Sequence, residues 1–238
     1  MKRPSLRRIY RIASYSLATI SVLYIVLLYF PQPLFAYSER YESFEIYSDR
    51  PVDDDLHKVL DRAEILLKDS PIYDANVERR VFLTGSFAKY GFLANKAYRS
   101  FGSTIPFLDN VMINKSDAGI DLVLMPREYS DRRSLSGVVA HEITHLLVRR
   151  RYGTISSITM PTWKVEGYCE YIARESTIPL DEGMRRWREN PGDDSGYRYT
   201  KYHAMVKYML ERRGLTVDDL FTSKLNETEV AAETLAEF

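Results

Sequence analysis

His141, Glu142 and His145 stand at the spacing H-E-x-x-H within the stretch Ser136-Gly-Val-Val-Ala-His-Glu-Ile-Thr-His-Leu-Leu-Val148. On a helix, residues four apart share a face, so imidazoles at i and i+4 can reach one metal ion. Glu142, one residue on, falls beside that ion, where a carboxylate can take a proton from metal-bound water. The chain has four histidines, His57, His141, His145 and His203, and two of them fall in this motif, which makes a chance match improbable. Val138, Val139 and Ala140 before the motif, with Ile143, Leu146, Leu147 and Val148 around it, predict a helix buried on most sides. A helix that must hold its ligands rigid and dry needs such surroundings.

Two histidines leave a catalytic zinc short of one protein ligand. The candidate is Glu166, in Pro161-Thr-Trp-Lys-Val-Glu-Gly-Tyr-Cys-Glu-Tyr-Ile-Ala173, separated from His145 by 20 residues. Pro161 and Thr162 read as a helix start, which puts Glu166 on the first turns of a second helix. Gly167 beside it predicts a close approach of that backbone to the metal helix. Glu170 is one turn further on the same face, where its carboxylate would accept the free N–H of a ligating histidine and fix its tautomer. Cys169, the single cysteine, sits between the two on a different helical face and reads as a buried small residue rather than a ligand.

H-E-I-T-H followed by W-K-V-E-G-Y-C-E-Y resembles the glutamate-zincin metallopeptidases, most closely the bacterial peptidase MA-like families. The likeness covers roughly Leu135 to Leu220. Carried over residue by residue, it implies Zn2+ held by His141, His145 and Glu166, Glu142 as general base, and Glu170 as the acid that orients a ligand. It also implies a zincin fold, with strands first and the zinc helix at their edge. The gap to Glu166 is longer than is usual in the aminopeptidase branch, and the exopeptidase motif of that branch is not visible. A peptide-cleaving zinc site needs a donor for the oxyanion that develops on the carbonyl. Tyr199-Thr-Lys-Tyr-His-Ala-Met-Val is similar to a Tyr-x-Lys-Gly-containing segment of the aminopeptidase branch, whose tyrosine takes that role. Tyr202 stands at the glycine position here. Tyr199 is therefore the first candidate donor, with Tyr202 and His203 in reserve.

The elements that carry these residues begin with an apolar stretch. Residues 1–38 hold Lys2, Arg3, Arg7, Arg8 and Arg11 and no acidic residue. Ile12 to Phe30 is uncharged and mostly apolar, 19 residues ended by Pro31 and Pro33. As a helix it spans about 29 Å. The basic flank predicts a cytoplasmic N-terminus and an external body. A cleavable signal peptide is the competing reading. Leu34-Phe35-Ala36 is a poor small-residue cleavage site, and the stretch is long for a signal, so an uncleaved anchor is favoured.

Beyond it, residues 39–238 read as one α+β domain. Apolar residues at 52, 56, 59, 60, 63, 66 and 67 mark a helix that starts near Pro51, with His57 off the stripe and solvated. Phe44–Tyr47, Arg80–Thr84, Val111–Asn114 and Ile120–Met125 read as short strands. The two site helices follow, then helices near 199–213 and 227–238, with Gly214 as a C-cap. Gly85–Thr104 is either a flap over the cleft or packed loop, and Arg185–Gly196 reads as a solvated connection.

The whole chain carries 33 basic and 33 acidic side chains, and without residues 1–38 the balance is 28 to 33, a net of −5. That excludes nucleic acid as an expected partner. One cysteine excludes an internal disulfide, and a body of this size folds without one. The expected function is a membrane-anchored zinc metallopeptidase that hydrolyses a peptide or protein substrate by metal-activated water outside the cytoplasmic membrane. The alternative is a catalytically inactive zincin-fold binding module of the cell envelope.

Overall fold

The computed structural model describes residues 6–94, 99–126, 132–192 and 196–237. Helix α1 (Leu6–Tyr29) is long and apolar enough to cross a membrane. Its 24 residues rise about 36 Å, against about 30 Å of bilayer hydrocarbon. It starts earlier than expected, so Arg7, Arg8 and Arg11 lie on its first turns, whereas Lys2 and Arg3 fall outside the described residues. Its far end is tied to the body. Asn110 Nδ2 donates to the carbonyls of Leu28 (3.1 Å) and Tyr29 (3.4 Å). The Tyr24 hydroxyl donates to the Phe92 carbonyl at 2.7 Å.

The body opens with β1 (Tyr37–Tyr41), β2 (Phe44–Ser48) and α2 (Asp54–Lys68), then β3 (Arg79–Leu83), α3 (Phe87–Leu93), β4 (Gly102–Thr104) and β5 (Asn110–Ile113). The five strands form one sheet in the order β1-β2-β3-β5-β4. β2, β3 and β5 are parallel, and β1 and β4 run antiparallel at the two edges. Gly102 pairs with Ile113 and Thr104 with Val111, which fixes the register of the β4 edge. β6 (Ser116–Asp117), β7 (Leu122–Val123) and β8 (Arg133–Ser134) make a small antiparallel ribbon that leads into α4 (Leu135–Tyr152).

Local chemistry starts and stops these helices. The Asp53 carboxylate accepts from Leu56 N to cap α2, and the Ser134 hydroxyl accepts from Gly137 N to cap α4. Gly153, at φ +89°, ends α4 in a backbone conformation that a side chain would strain. α4 is buried nearly all round, as its sequence requires, and packs on α2, on α6 (Thr162–Ala173) and on the β4 edge. Leu60 and Ala63 of α2, Val81 and Val111 of the sheet, and Val139, Ile143 and Leu147 of α4 are fully buried together. Burial of each larger aliphatic side chain stabilises the fold by about 1.5–3 kcal/mol.

The remaining helices are α5 (Thr154–Thr159), α7 (Leu180–Glu189), α8 (Arg198–Lys207), α9 (Val217–Thr222) and α10 (Glu227–Glu237). α8 continues through one π-helical turn, Tyr208–Arg212, and Gly214 follows at φ +68°.

Four expectations need correction. Gly85–Thr104 carries α3 and the edge strand β4, so the described part is packed structure, with residues 95–98 outside the description. The Arg185–Gly196 stretch overlaps α7, and Trp187 is buried there rather than solvated. Of Ile120–Met125 only Leu122 and Val123 pair as strand. His57 is not freely solvated: it stacks on Tyr41 with ring centroids 4.0 Å apart and lies 2.9 Å from Glu39.

Candidate metal centre

α4 and α6 face each other across the centre of the body, and their polar side chains meet there. His141 and His145 are on one face of α4, with ring centroids 5.1 Å apart. Glu166 projects from α6 between them: its Oε2 is 3.4 Å from His141 Nε2 and 3.8 Å from His145 Nε2. A tetrahedral ion with bonds of about 2.0–2.1 Å separates its ligand atoms by about 3.3 Å. Each of the two nitrogens therefore stands within about 0.5 Å of the separation from the carboxylate oxygen that such an ion imposes.

Cys169 is the third side chain that geometry brings to the histidines. His141, His145 and Cys169 offer donor atoms within 4.8 Å of one another and form a group able to hold a metal ion. The expectation that Cys169 faces elsewhere is corrected in that respect, although it is fully buried as expected. Its thiol pKa is raised well above the ordinary value, first by burial and then by Glu166 and Glu142. Only the thiolate ligates metal. Cys169 would have to lose a proton that its surroundings hold, whereas Glu166 offers a carboxylate.

Behind the histidines runs a buried chain of charge. Glu170, on the same face of α6 as Glu166, is 0 % exposed, and its Oε1 lies 3.0 Å from His141 Nδ1. Arg133 Nη1 donates to the same oxygen at 2.7 Å, and Arg133 Nε reaches Glu175 Oε1 at 3.4 Å. Burial works to raise the Glu170 pKa, but Arg133 and His141 outweigh it and hold it below the usual carboxylate range. Burial works to lower His141, yet Glu170 and Glu166 outweigh it, and the pKa is pushed up to about 10. Without metal, the site thus binds a proton where its carboxylates demand a cation. His145 is pushed down, mainly by burial, and keeps a free lone pair near neutrality. The donor set fits a divalent ion of the zinc type.

Glu142 lies beside the histidines, almost buried, and β4 fixes it. Thr104 Oγ1 lies 2.7 Å from Glu142 Oε2 and 3.0 Å from the Glu142 carbonyl. A Cβ on Gly102 would come within 2.7 Å of Glu142 Cγ and 2.9 Å of its Oε1. The glycine leaves the space that the carboxylate occupies. Gly102, Thr104, Arg133 and Glu175 were not expected from sequence. Nothing in their spacing links them to the motif, because β4 and β8 are only three and two residues long.

A cleft of about 740 Å³ opens over the centre and is lined by β4, the α4 face, Glu166 and Tyr199. Tyr199, on the first turn of α8, is 43 % exposed. Its pKa is raised to about 12, by desolvation first and then by Glu166 and Glu170, so the phenol keeps its proton at neutral pH. Of the two reserves, Tyr202 and His203 are both buried on α8 and are not among the residues that line the cleft. His203 Nδ1 lies 3.2 Å from Ser176 Oγ, and burial lowers its pKa to about 4. Gly167 also differs from expectation. A Cβ there would meet the Tyr202 carbonyl and Val206, so the glycine admits α8, not α4, to close packing on α6.

No protein-family model matches this chain, and no match is found among curated proteins.

Proposed function

We propose that this chain is a zinc metallopeptidase of zincin-like fold, held in the membrane by α1, with residues 39–238 outside. The convergence of His141, His145 and Glu166 at 3.4 and 3.8 Å, with Glu142 lining the same cleft, carries this reading. His141, His145 and Glu166 would hold the ion, and Cys169 would stay protonated beneath it. When bound, zinc supplies a Lewis acid that acidifies water and polarises a carbonyl. Glu142 takes the proton of the attacking water and passes it to the departing amine, so that one water is consumed and the peptide bond becomes an acid and an amine. Thr104 and the space at Gly102 hold that carboxylate in position. The protonated phenol of Tyr199, which lines the cleft, would donate to the carbonyl oxygen as charge develops on it. Glu170, with Oε1 3.0 Å from His141 Nδ1 but no directed hydrogen bond to it, would hold that imidazole by its charge. Arg7, Arg8 and Arg11 at the start of α1 favour a cytoplasmic N-terminus.

The test is cleavage of a random peptide library by the full chain in detergent, with zinc content measured in parallel. Zinc near one per chain and chelator-sensitive cleavage are expected, and Glu142→Gln should keep the zinc and lose about 10²–10⁴-fold in turnover. Zinc retained after His141→Ala and His145→Ala together would overturn the ligand set. Zinc bound with no cleavage of any peptide would favour an inactive binding module instead.

A further inference from the structure

Arg149 stands one turn beyond His145 on α4 and lines the same cleft. It is only 9 % exposed, and its Nε and Nη2 are buried with no hydrogen-bond partner among the described residues. Its one ion-pair contact there is Asp109, whose Oδ1 is 3.5 Å from Nε and whose own side chain is largely exposed. That distance is too long for a directed hydrogen bond.

The other buried arginines each leave one nitrogen unpartnered, Arg133 Nη2 and Arg79 Nε, but each also donates to a carboxylate, which Arg149 does not. Arg133 meets Glu170 at 2.7 Å, and Arg79 is paired with Glu64 and donates to Ser43 Oγ at 2.8 Å. A buried guanidinium that lacks such a partner is destabilising, and a fold that keeps one at a cleft has a use for it outside the folded chain. The guanidinium fork matches a carboxylate in geometry and charge. Arg99, Arg133 and Arg198 line the same cleft, facing the carboxylates of Glu142, Glu166 and Glu170, so basic groups stand at the cleft of a body whose net charge is −5.

We propose that Arg149 binds a carboxylate of the substrate. It is either the C-terminal carboxylate of a peptide or the side chain of an Asp or Glu. One helical turn displaces Arg149 from His145 by about 6 Å along α4. An extended peptide advances about 3.3–3.6 Å per residue, which puts the carboxylate within about two residues of the bond cleaved. The position of that bond rests on the metallopeptidase reading, but the anion site does not.

The probes are short acetylated peptides in matched pairs, assayed with the full chain in detergent. In one arm, neutral sequences carry a C-terminal acid or a C-terminal amide. In the other, amidated sequences carry a single Asp or a single Asn at each position. Two readouts are taken: kcat/KM of the zinc-loaded protein, and the rise in Tm that each peptide gives the chelator-treated protein. The acid form of one arm is expected to exceed its neutral partner by roughly 10–100-fold, and Arg149→Met should erase the difference. Arg149→Lys keeps the charge without the fork and should retain part of it. The Tm of Arg149→Met without peptide should be no lower than that of the parent, because the variant removes a buried charge whose one ion pair, to the exposed Asp109, is long and makes no directed hydrogen bond. Should Arg149→Met fail to fold, Arg149→Lys carries the comparison.

Cleavage with no preference for carboxylate, or a preference that survives folded Arg149→Met, overturns the proposal and leaves the peptidase reading standing. Arg149-dependent protection by carboxylate peptides without cleavage of any of them upholds the anion site and removes the peptidase reading.

Discussion

Gly102 sets the position of Glu142 from a strand that never appears in the motif. Because a methyl there would press on Glu142 Cγ and Oε1, Gly102→Ala should displace the carboxylate while the histidines stay in place. The expected outcome is unchanged zinc content with kcat lowered roughly 10–100-fold, as small displacements of reacting groups produce. An unchanged kcat would mean that the carboxylate tolerates the shift. Glu170→Gln acts on the opposite side of His141. It leaves the imidazole without an anionic partner and leaves Arg133 to Glu175 alone. Zinc affinity should fall by about 10–100-fold, measured by competition with a chromophoric chelator. The His141, Glu142 and His145 constellation is readable in the chain because helical periodicity alone places residues four apart together. The same holds for Glu166 and Glu170 on α6. That these two faces meet is a tertiary fact, which residue type suggests and periodicity does not fix. Gly102, Thr104 and Arg133 have no such periodicity, since their places depend on how an edge strand and a two-residue strand dock on α4.

α8 does two things at once: its first turn carries Tyr199 into the cleft, and its middle buries His203. The second has a consequence for pH. The folded-state pKa of His203 is about 4, below the ordinary 6.5, so the unfolded chain takes up the proton first as pH falls. His203 therefore contributes stability that is present above pH 6.5 and lost as the pH falls from there towards 4. A shift of this size corresponds to about 3 kcal/mol. His141, raised to about 10 without metal, contributes stability that is fully present below pH 6.5 and lost as the pH rises from there towards 10, so it is constant across that window. In metal-free protein, urea midpoints followed by the fluorescence of buried Trp163 and Trp187 should fall between pH 7 and pH 4.5. His203→Gln should flatten that fall. An equal fall in the variant would assign the acid sensitivity to the carboxylates. Among the elements, α2, α4 and α6 were legible from their apolar stripes and starts, and so were β2, β3 and β5. β4 and α3 were not, because they are short and sit in an aromatic, glycine-punctuated stretch with no strict period. α7 was hidden by its charge: Trp187 is the buried residue in a run of arginines and glutamates.

For the whole molecule, the junction between α1 and the body matters most. Asn110, fully buried on β5, holds the last carbonyls of α1, and Tyr24 and Phe92 join α1 to α3. Their ring centroids lie 5.0 Å apart. Lys89 Nζ donates to the Leu34 carbonyl at 2.6 Å and lies 3.8 Å from the centre of the Phe35 ring. There is no loose stalk here: helix and body are joined side chain to backbone on both flanks of Pro31 and Pro33. With α1 in a bilayer, the cleft would be carried at a set height and could not swing over the surface. The chain would then act as a ruler, choosing among tethered polypeptides by how far from the lipid their bonds lie, whatever their sequence. A ten-residue Gly-Ser insertion after Ala36, combined with Tyr24→Phe, Lys89→Met and Asn110→Ala to release the contacts of α1, should leave the cleavage of free peptides unchanged. It should broaden the range of spacer lengths at which a membrane-tethered peptide in the same vesicle is cut. An unchanged range would show that height is not what the junction controls.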